Sequence, residues 1–284
     1  MKQPKRIIIK EAAVSARYFD KANNRLVYVG NVATHEMWDD LWEPTEDAVR
    51  EAIRPGRGTK WLVKITRRYL GCNEGPILEG GCGLGYNVAA LQRAGYHVTG
   101  IDFAPKTVAL LQRVAPELDV RLGDVGALPF DDHSFAGYWS LGVIEHSYSG
   151  YQTLASEMTR VIRPGGYLFL TFPFMSPLRR LKARFNLYPA LPGTAEPVGF
   201  YQFALDPSRV ESDFFKLGFR KRYLAGRSGL KGLKDEVELA RRPLQALYQY
   251  PGRSIPLRAM RFLMDGWAPL GAGHSCVLVL QKKT

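Results

Sequence analysis

Residues 77–86 read Ile77-Leu78-Glu79-Gly80-Gly81-Cys82-Gly83-Leu84-Gly85-Tyr86: a short apolar run, a glycine-rich turn and the start of a helix. Glycines at 81, 83 and 85 accept positive φ and let the backbone approach a ligand closely. Such a turn also aims backbone N–H groups and a helix N-terminus at one point. A dinucleotide-binding turn that began at 81 would place its third glycine at 86, where this chain has Tyr86. The acid at 79 argues the same way, since it repels a pyrophosphate and attracts a ligand that carries an ammonium group. A glycine turn alone also serves plain chain reversal, so the weight rests on its surroundings.

Outward from this turn, short apolar runs alternate with helical stretches over residues 76–172, the pattern of a parallel sheet with crossover helices. Strands are expected at Pro76–Gly80, His97–Asp102, Asp119–Leu122, Phe135–Leu141 and Tyr167–Phe172, with helices at Tyr86–Ala94, Pro105–Val114 and Tyr151–Ile162. The last helix is stopped by Arg163-Pro164-Gly165-Gly166, which cannot continue it and reads as a turn. Further on, a helix at Pro207–Leu217 and strands at Phe219–Leu224 and Ser275–Gln281 continue the pattern, with two long insertions at about 173–200 and 226–273. Residues 36–70 look helical, broken by Pro44, Pro55 and Gly56. The organisation expected is an N-terminal helical and aromatic cap over 1–70, then one catalytic domain over 71–284 with lid insertions.

The chain has 284 residues, above the ~100–200 of a typical domain and short of two. An apolar fraction of 46% and 12% aromatics suffice for a substantial core. The longest apolar runs, Tyr167–Phe174 and Cys276–Leu280, are strand-length and fall well below the ~18 residues needed to cross a bilayer. The basic start of the chain has only Ile7–Ile9 as its apolar stretch, too short for a signal peptide. Cys72, Cys82 and Cys276 are odd in number and show no metal spacing, which points to a cytoplasmic protein with reduced thiols. The net charge of +12 is uneven: residues 1–171 hold 20 basic and 19 acidic residues, whereas 172–284 hold 19 and 8, or +11. That asymmetry fits an anionic partner (a phosphorylated substrate, a membrane surface or nucleic acid) and equally fits simple solubility.

Four more segments accompany the turn: Val98-Thr99-Gly100-Ile101-Asp102-Phe103, Leu122-Gly123-Asp124-Val125-Gly126-Ala127-Leu128-Pro129-Phe130, Ser140-Leu141-Gly142-Val143-Ile144-Glu145-His146 and Arg163-Pro164-Gly165-Gly166. In order and spacing the chain resembles the class I S-adenosylmethionine-dependent methyltransferases. Within them it is similar to the small-molecule, type 11-like branch that includes ubiquinone and menaquinone biosynthesis enzymes. The resemblance covers about a hundred residues. It implies an α/β, doubly wound, Rossmann-like seven-stranded sheet, mostly parallel with its last strand antiparallel, and helical lid insertions. It also implies S-adenosyl-L-methionine as methyl donor and S-adenosyl-L-homocysteine as product. By resemblance, Glu79, Gly81, Gly83 and Gly85 serve the methionyl end, to which Leu141 and Gly142 offer backbone groups. Asp102, 17 positions after Gly85, accepts from the ribose hydroxyls. Phe103 packs on the adenine, Asp124 accepts from its amino group and the Val125 N–H serves a ring nitrogen. Asp131-Asp132-His133-Ser134 reads instead as a polar turn.

A sulfonium already makes methyl transfer favourable, so the protein's main task is to place the acceptor in line. His146, just past the fourth strand, is the candidate general base, with an unperturbed pKa near 6.5 suited to neutral pH. It also fits a residue that merely opens the next loop. Glu145, His35 and His274 are weaker candidates, His274 reading as a cap on the last strand. Ser140-Leu141-Gly142 offers no ligand to a divalent cation, so no metal is expected. The motifs that the resemblance would require for methylating nucleic-acid bases are absent, so DNA is not an expected partner. Trp38 and Trp42 share a helical face and fit either core or pocket. Arg180 and Arg184 line one side of a basic helix near 177–185, with Leu178, Leu181 and Phe185 on another, which suits an anionic membrane, a phosphate-bearing substrate or a plain surface helix. The expected function is methyl transfer to a small molecule, on oxygen with carbon or nitrogen also open. An anionic or lipid-linked metabolite is the expected acceptor, in the cytoplasm or against the inner face of a membrane. An RNA-directed methyltransferase and a non-catalytic S-adenosylmethionine-binding subunit are the alternatives.

Overall fold

The computed structural model describes residues 14–30, 34–42, 45–55, 59–193, 195–250 and 254–284. The chain begins with β1 (Val14–Asp20) and β2 (Arg25–Gly30), then α1 (His35–Trp42), α2 (Glu46–Ala52) and α3 (Lys60–Tyr69). The α/β body follows: β3 (Ile77–Gly80), α4 (Tyr86–Arg93), β4 (Val98–Asp102), α5 (Pro105–Val114), β5 (Asp119–Leu122), β6 (Phe135–Leu141), a 3-10 turn (Ile144–His146), α6 (Gln152–Val161) and β7 (Ile162–Pro173). Next come α7 (Pro177–Arg184), β8 (Phe200–Ala204), α8 (Pro207–Lys216) and β9 (Phe219–Arg227). The chain then runs through α9 (Gly229–Glu236), α10 (Arg241–Gln249), α11 (Ile255–Trp267) and α12 (Pro269–Ala272) into β10 (Ser275–Lys282).

Seven strands form one sheet in the order β5-β4-β3-β6-β7-β10-β9. Pairings among β3 to β7 are parallel, and β10 runs antiparallel between β7 and β9. Successive residues of the central strands go to opposite faces. Ile77, Trp139, Phe169, Val277 and Val279 join one buried cluster, and Leu78, Tyr138, Leu168, Leu170 and Leu278 join the other. Both faces are covered, so these strands read as continuous apolar runs rather than as alternation. Strand order reverses at β3, with β4 on one side and β6 on the other, and a crevice opens at the carboxyl ends of such strands.

The expected sheet and its helices are present, most ends agreeing to within one residue. The departures have physical reasons. β7 starts at Ile162, because the strand pairs Phe135 with Ile162 and then Gly137 with Tyr167. Arg163–Gly166 is therefore an irregularity inside the strand, Gly165 taking φ +78°, rather than a separate turn between the helix that ends at Val161 and the strand. A second sheet, β1-β2-β8, has no counterpart in the expected element order. Its hairpin turns at Asn23-Asn24, with Asn24 at φ +49°, and Asp20 accepts from the Asn23 N–H and from Arg25. β8 then joins β2 across more than 170 residues of chain, which no local pattern reveals.

Candidate active site

The glycine turn is held from below by β4. The N–H groups of Gly81 and Cys82 both donate to Ile101 O (2.8 and 3.1 Å), and Gly85 N–H donates back to Cys82 O (2.9 Å). Gly81, Gly83 and Gly85 take φ +78°, +50° and +69°. A Cβ at 81 would lie 2.6 Å from Val143 Cγ2, and one at 85 would lie 2.8 Å from Leu111 Cδ2. Close approach of the loop beyond β6 and of α5 thus requires glycine as much as the dihedrals do. Asp102, at the end of β4, accepts from Gly83 N–H through Oδ2 (2.7 Å) and from Ala104 N–H through Oδ1 (3.0 Å). Burial raises its pKa, those N–H groups opposing the rise.

Glu79 is 1% exposed. Its Oε1 accepts from Asn87 Nδ2 at 2.7 Å, while Oε2 has no partner. Burial lifts its pKa to about 8, with the Asn87 bond opposing and Asp102 adding to the rise. Glu145, in the 3-10 turn after β6, is 2% exposed, has an unpartnered Oε2 and is likewise pushed by burial to about 8. A buried carboxyl without a partner is costly in its charged form. Both groups line the same cavity.

That cavity has a volume of ≈ 510 Å³ and opens at the carboxyl edge of the sheet. Glu79, Gly81, Gly83, Asp102, Phe103, Asp124, Val125, Leu141, Gly142, His146 and Trp38 all line it. Gly85 does not; it caps α4 beneath the turn. Asp124 accepts from Gly126 N–H (2.8 Å), and Gly142 N–H is spent on Thr171 O (3.0 Å), leaving that residue's carbonyl side for a ligand. Sequence reasoning passed over Asn87, Thr171, Tyr201 and Gln202, which also face the cavity. The last two arrive on β8, and only Val27 and Val29, alternating after the Asn23-Asn24 turn, hinted at a sheet there.

His146 closes the far side. Its Nδ1 lies 2.8 Å from Tyr201 O; a carbonyl only accepts, so Nδ1 carries the proton and Nε2 is the ring's acceptor. Burial depresses its pKa to about 4, the Tyr201 bond opposing. The ring is therefore neutral at physiological pH and a weaker base than the expected value near 6.5. Trp38 and Tyr201 each pack edge-on against it, centroids 5.1 Å apart. Trp38 is delivered by α1, which Asp39 pins to α5 by accepting from Thr107 N–H (3.0 Å) and Oγ1 (2.8 Å). The side chains of Trp42 and His35 lie outside the described residues.

Arg180 and Arg184 are not among the cavity-lining residues. Arg180 pairs with Asp206 (2.7 Å), and Arg184 is exposed. Their neighbour Arg179 is fully buried and bonds Glu236 Oε1 (2.8 Å) and the carbonyls of Phe174 and His274. Lys182, Arg17 and Tyr188 converge on the same Glu236. His274, which lines the cavity, bonds Asp235 (3.1 Å) from its Nδ1 and is pushed down to about 3, by burial first and Lys231 second. Among the described residues no group of three or more His, Cys, Asp or Glu side chains is placed to hold a metal ion.

A glycine turn after the first strand of a reversing sheet, an acid ending the second strand, and an antiparallel seventh strand define the class I methyltransferase fold. Residues 78–170 match the family model described as a methyltransferase domain. Over those residues the match supports a type 11 methyltransferase domain of the class I, S-adenosylmethionine-dependent kind. It is 38% identical over 148 residues to the phthiotriol/phenolphthiotriol dimycocerosates methyltransferase of Mycobacterium leprae, covering 48% of this chain and 54% of that one. It is 29% identical over 162 residues to the demethylmenaquinone methyltransferase of Renibacterium salmoninarum, covering 56% and 67%. In fold it is similar to geranyl diphosphate C-methyltransferase from Streptomyces coelicolor, solved with Mg²⁺, geranyl diphosphate and S-adenosyl-L-homocysteine (TM-score 0.51, 15% identity, 90% of each chain). The matched stretch spans only 39% to 67% of the length of these and other curated relatives.

Proposed function

We propose that the protein transfers a methyl group from S-adenosylmethionine to a small, largely apolar or lipid-linked acceptor. The carrying observation is the ≈ 510 Å³ cavity in which the glycine turn, Asp102 and the unpartnered Glu79 oxygen converge. Its volume lies within the roughly 300–1,000 Å³ of ordinary ligand sites. The donor set fits an adenosyl sulfonium. Glu79 Oε2 takes the ammonium, which gives that buried oxygen the partner it lacks. Asp102 keeps its two backbone bonds and accepts the ribose hydroxyls on its remaining lone pairs. Phe103, which lines the cavity while 45% exposed, covers the adenine, and Asp124 and Val125 read its edge. When bound, the sulfonium supplies an activated methyl group.

The chain's own contribution is placement and water exclusion. Trp38, Tyr201, Leu154 and Phe172 wall the acceptor side with His146 among them. His146 Nε2 is the proton acceptor if the methylated atom is a hydroxyl oxygen. No Lys or Arg occurs among the described lining residues, so none of them offers a charge partner to an anionic reacting end. That favours the lipid-linked alternative over a phosphate held in the cavity. Similarity to a methyltransferase of phthiotriol lipids supports the same reading.

Titration calorimetry tests the cofactor assignment. S-adenosylhomocysteine is expected to bind the wild type, NAD is not, and Asp102→Ala is expected to abolish binding while Asp102→Asn weakens it. NAD binding, or S-adenosylhomocysteine binding indifferent to Asp102→Ala, overturns the assignment. Mass spectrometry of lipid extracts incubated with the protein and deuteromethyl-labelled cofactor reads the acceptor. Label confined to water-soluble anions refutes the lipid-linked class.

A further inference from the structure

Helix α11 turns an apolar face away from the protein. Ile255, Met260, Phe262, Leu263 and Trp267 are 78%, 43%, 76%, 55% and 73% exposed. At 100° per residue they fall on one arc of about 160°, shared only with Pro256, Ala259 and Gly266, so no charge interrupts it. The opposite side is apolar too: Leu257 and Met264 pack on the buried Leu230, Leu244 and Leu247. A surface helix normally keeps a polar outer face, and apolar exposure gathered on one face marks a binding surface.

We propose that this face docks on an anionic lipid bilayer, α11 lying in the plane of the headgroups. Charge complementarity selects that occupant. Residues 172–284 carry +11, and Arg258 at the edge of the arc, with Arg241 and Arg242 at the start of α10, is exposed. Leu239, fully exposed, adjoins that pair. The two acids at the end of α9 are turned inward, Asp235 on His274 and Glu236 on Arg179. Asp265 on α11 accepts from Leu230 N–H. A surface so charged repels a second copy of itself and attracts anionic headgroups. Trp267 ends the helix with the ring type that favours the membrane interface. No helix among the described residues is long and apolar enough to cross a membrane, and 13 residues reach ~20 Å, suited to lying flat. α11 packs on α9, whose Asp235 bonds the cavity-lining His274, and on α12, which leads into His274 and Ser275. The docking face therefore adjoins the elements that border the cavity, though docking itself does not depend on which acceptor is methylated.

The test is co-sedimentation of the full chain with vesicles of phosphatidylcholine alone and with phosphatidylglycerol added. Wild-type protein is expected on the anionic vesicles, at least about ten-fold tighter than on neutral ones, and less so as salt rises. The Phe262→Ser/Trp267→Ser variant is expected to lose that binding by about ten-fold or more while its circular dichroism and S-adenosylhomocysteine affinity stay unchanged. Arg241→Gln/Arg242→Gln is expected to lose the preference for anionic lipid. Absence of wild-type protein from anionic vesicles overturns the proposal, as does equal binding by the serine variant. A dimer at micromolar concentration that the serine variant dissolves assigns the face to a second copy and overturns it too.

Discussion

Replacing Glu79 by Gln separates two effects that this buried carboxyl combines. In the ligand-free protein its pKa stands at about 8 against an ordinary 4.5, burial being the main cause. At pH 7 roughly nine in ten molecules therefore hold it protonated. An ammonium placed on its unpartnered oxygen stabilises the charged form, so binding expels that proton. About 0.9 proton per ligand leaves at pH 7, and affinity rises with pH, about ten-fold per unit between roughly pH 6 and 7.5, levelling above about 8. Calorimetric titration with S-adenosylhomocysteine in buffers of different ionisation enthalpy reads the proton directly.

Glu79→Gln is expected to remove the proton release and to weaken binding by about 1.5–3 kcal/mol, the worth of a hydrogen bond to a charged group, or ~10–150-fold. Stability moves the other way. A raised carboxyl pKa contributes stability that is complete below pH 4.5 and lost as pH rises through about 8. The difference corresponds to a cost on the order of 5 kcal/mol for holding the buried anion at alkaline pH, which Gln avoids. Relaxation and water reaching the site leave only part of that cost in effect, about 1–3 kcal/mol, so the ligand-free variant is expected to melt several degrees above the wild type at pH 8.5. A binding enthalpy that ignores the buffer refutes the argument. So does an undiminished proton release in Glu79→Gln, which would move the ammonium to Glu145.

Gly81→Ala is expected to cost roughly 1–3 kcal/mol and most cofactor affinity, because φ +78° and Val143 Cγ2 at 2.6 Å both oppose a methyl group; chemical denaturation and calorimetry read the two losses. If the acceptor is a hydroxyl, His146→Gln lowers kcat by ~10²–10⁴-fold and leaves S-adenosylhomocysteine binding intact. Because burial depresses the His146 pKa to about 4, the wild-type rate holds flat down to about pH 5 in this group's limb, and an acid limb centred near 6.5 that vanishes in the variant counts against that environment. Glu236→Ala strands the fully buried Arg179 and is expected to destabilise the fold by about 3–5 kcal/mol; an Arg179→Met/Glu236→Leu pair losing less, by urea denaturation, is the matching outcome.

The half of the cavity built on the glycine turn was legible because it is local. Turn, strand end and helix start lie within ten residues at 77–86, Asp102 follows at the next strand end, and each glycine or acid has its own steric or electrostatic reason. The opposite wall was not. Tyr201 and Gln202 reach the cavity only because β8 pairs with β2, and His274 and Ser275 only because β10 returns between β7 and β9. Helix α7 shows the same limit in its charges. Periodicity put Leu181 and Phe185 on a common face, but which face turns inward was decided by Glu236, distant in sequence, which draws Arg179 into the interior and leaves Leu181 and Phe185 52% and 65% exposed.

The basic surplus of residues 172–284 thus divides into two populations with different consequences. Arg179 and Lys182 are consumed with Arg17 around Glu236, fastening the N-terminal hairpin, α7 and α9 to one another, and Arg180 ties α7 to Asp206 at the start of α8. Others, such as Arg241, Arg242 and Arg258, remain on the outside. Neither population reaches the described lining of the cavity. Long-range attraction needs only the outer charges and acts over about a Debye length of ~8–10 Å, whereas recognition at the reacting atom needs contact. The charge pattern therefore suits bringing the molecule to an anionic surface, and under the proposed function the choice of acceptor falls to the aromatic wall formed by Trp38, Tyr201 and Phe172 around a neutral His146.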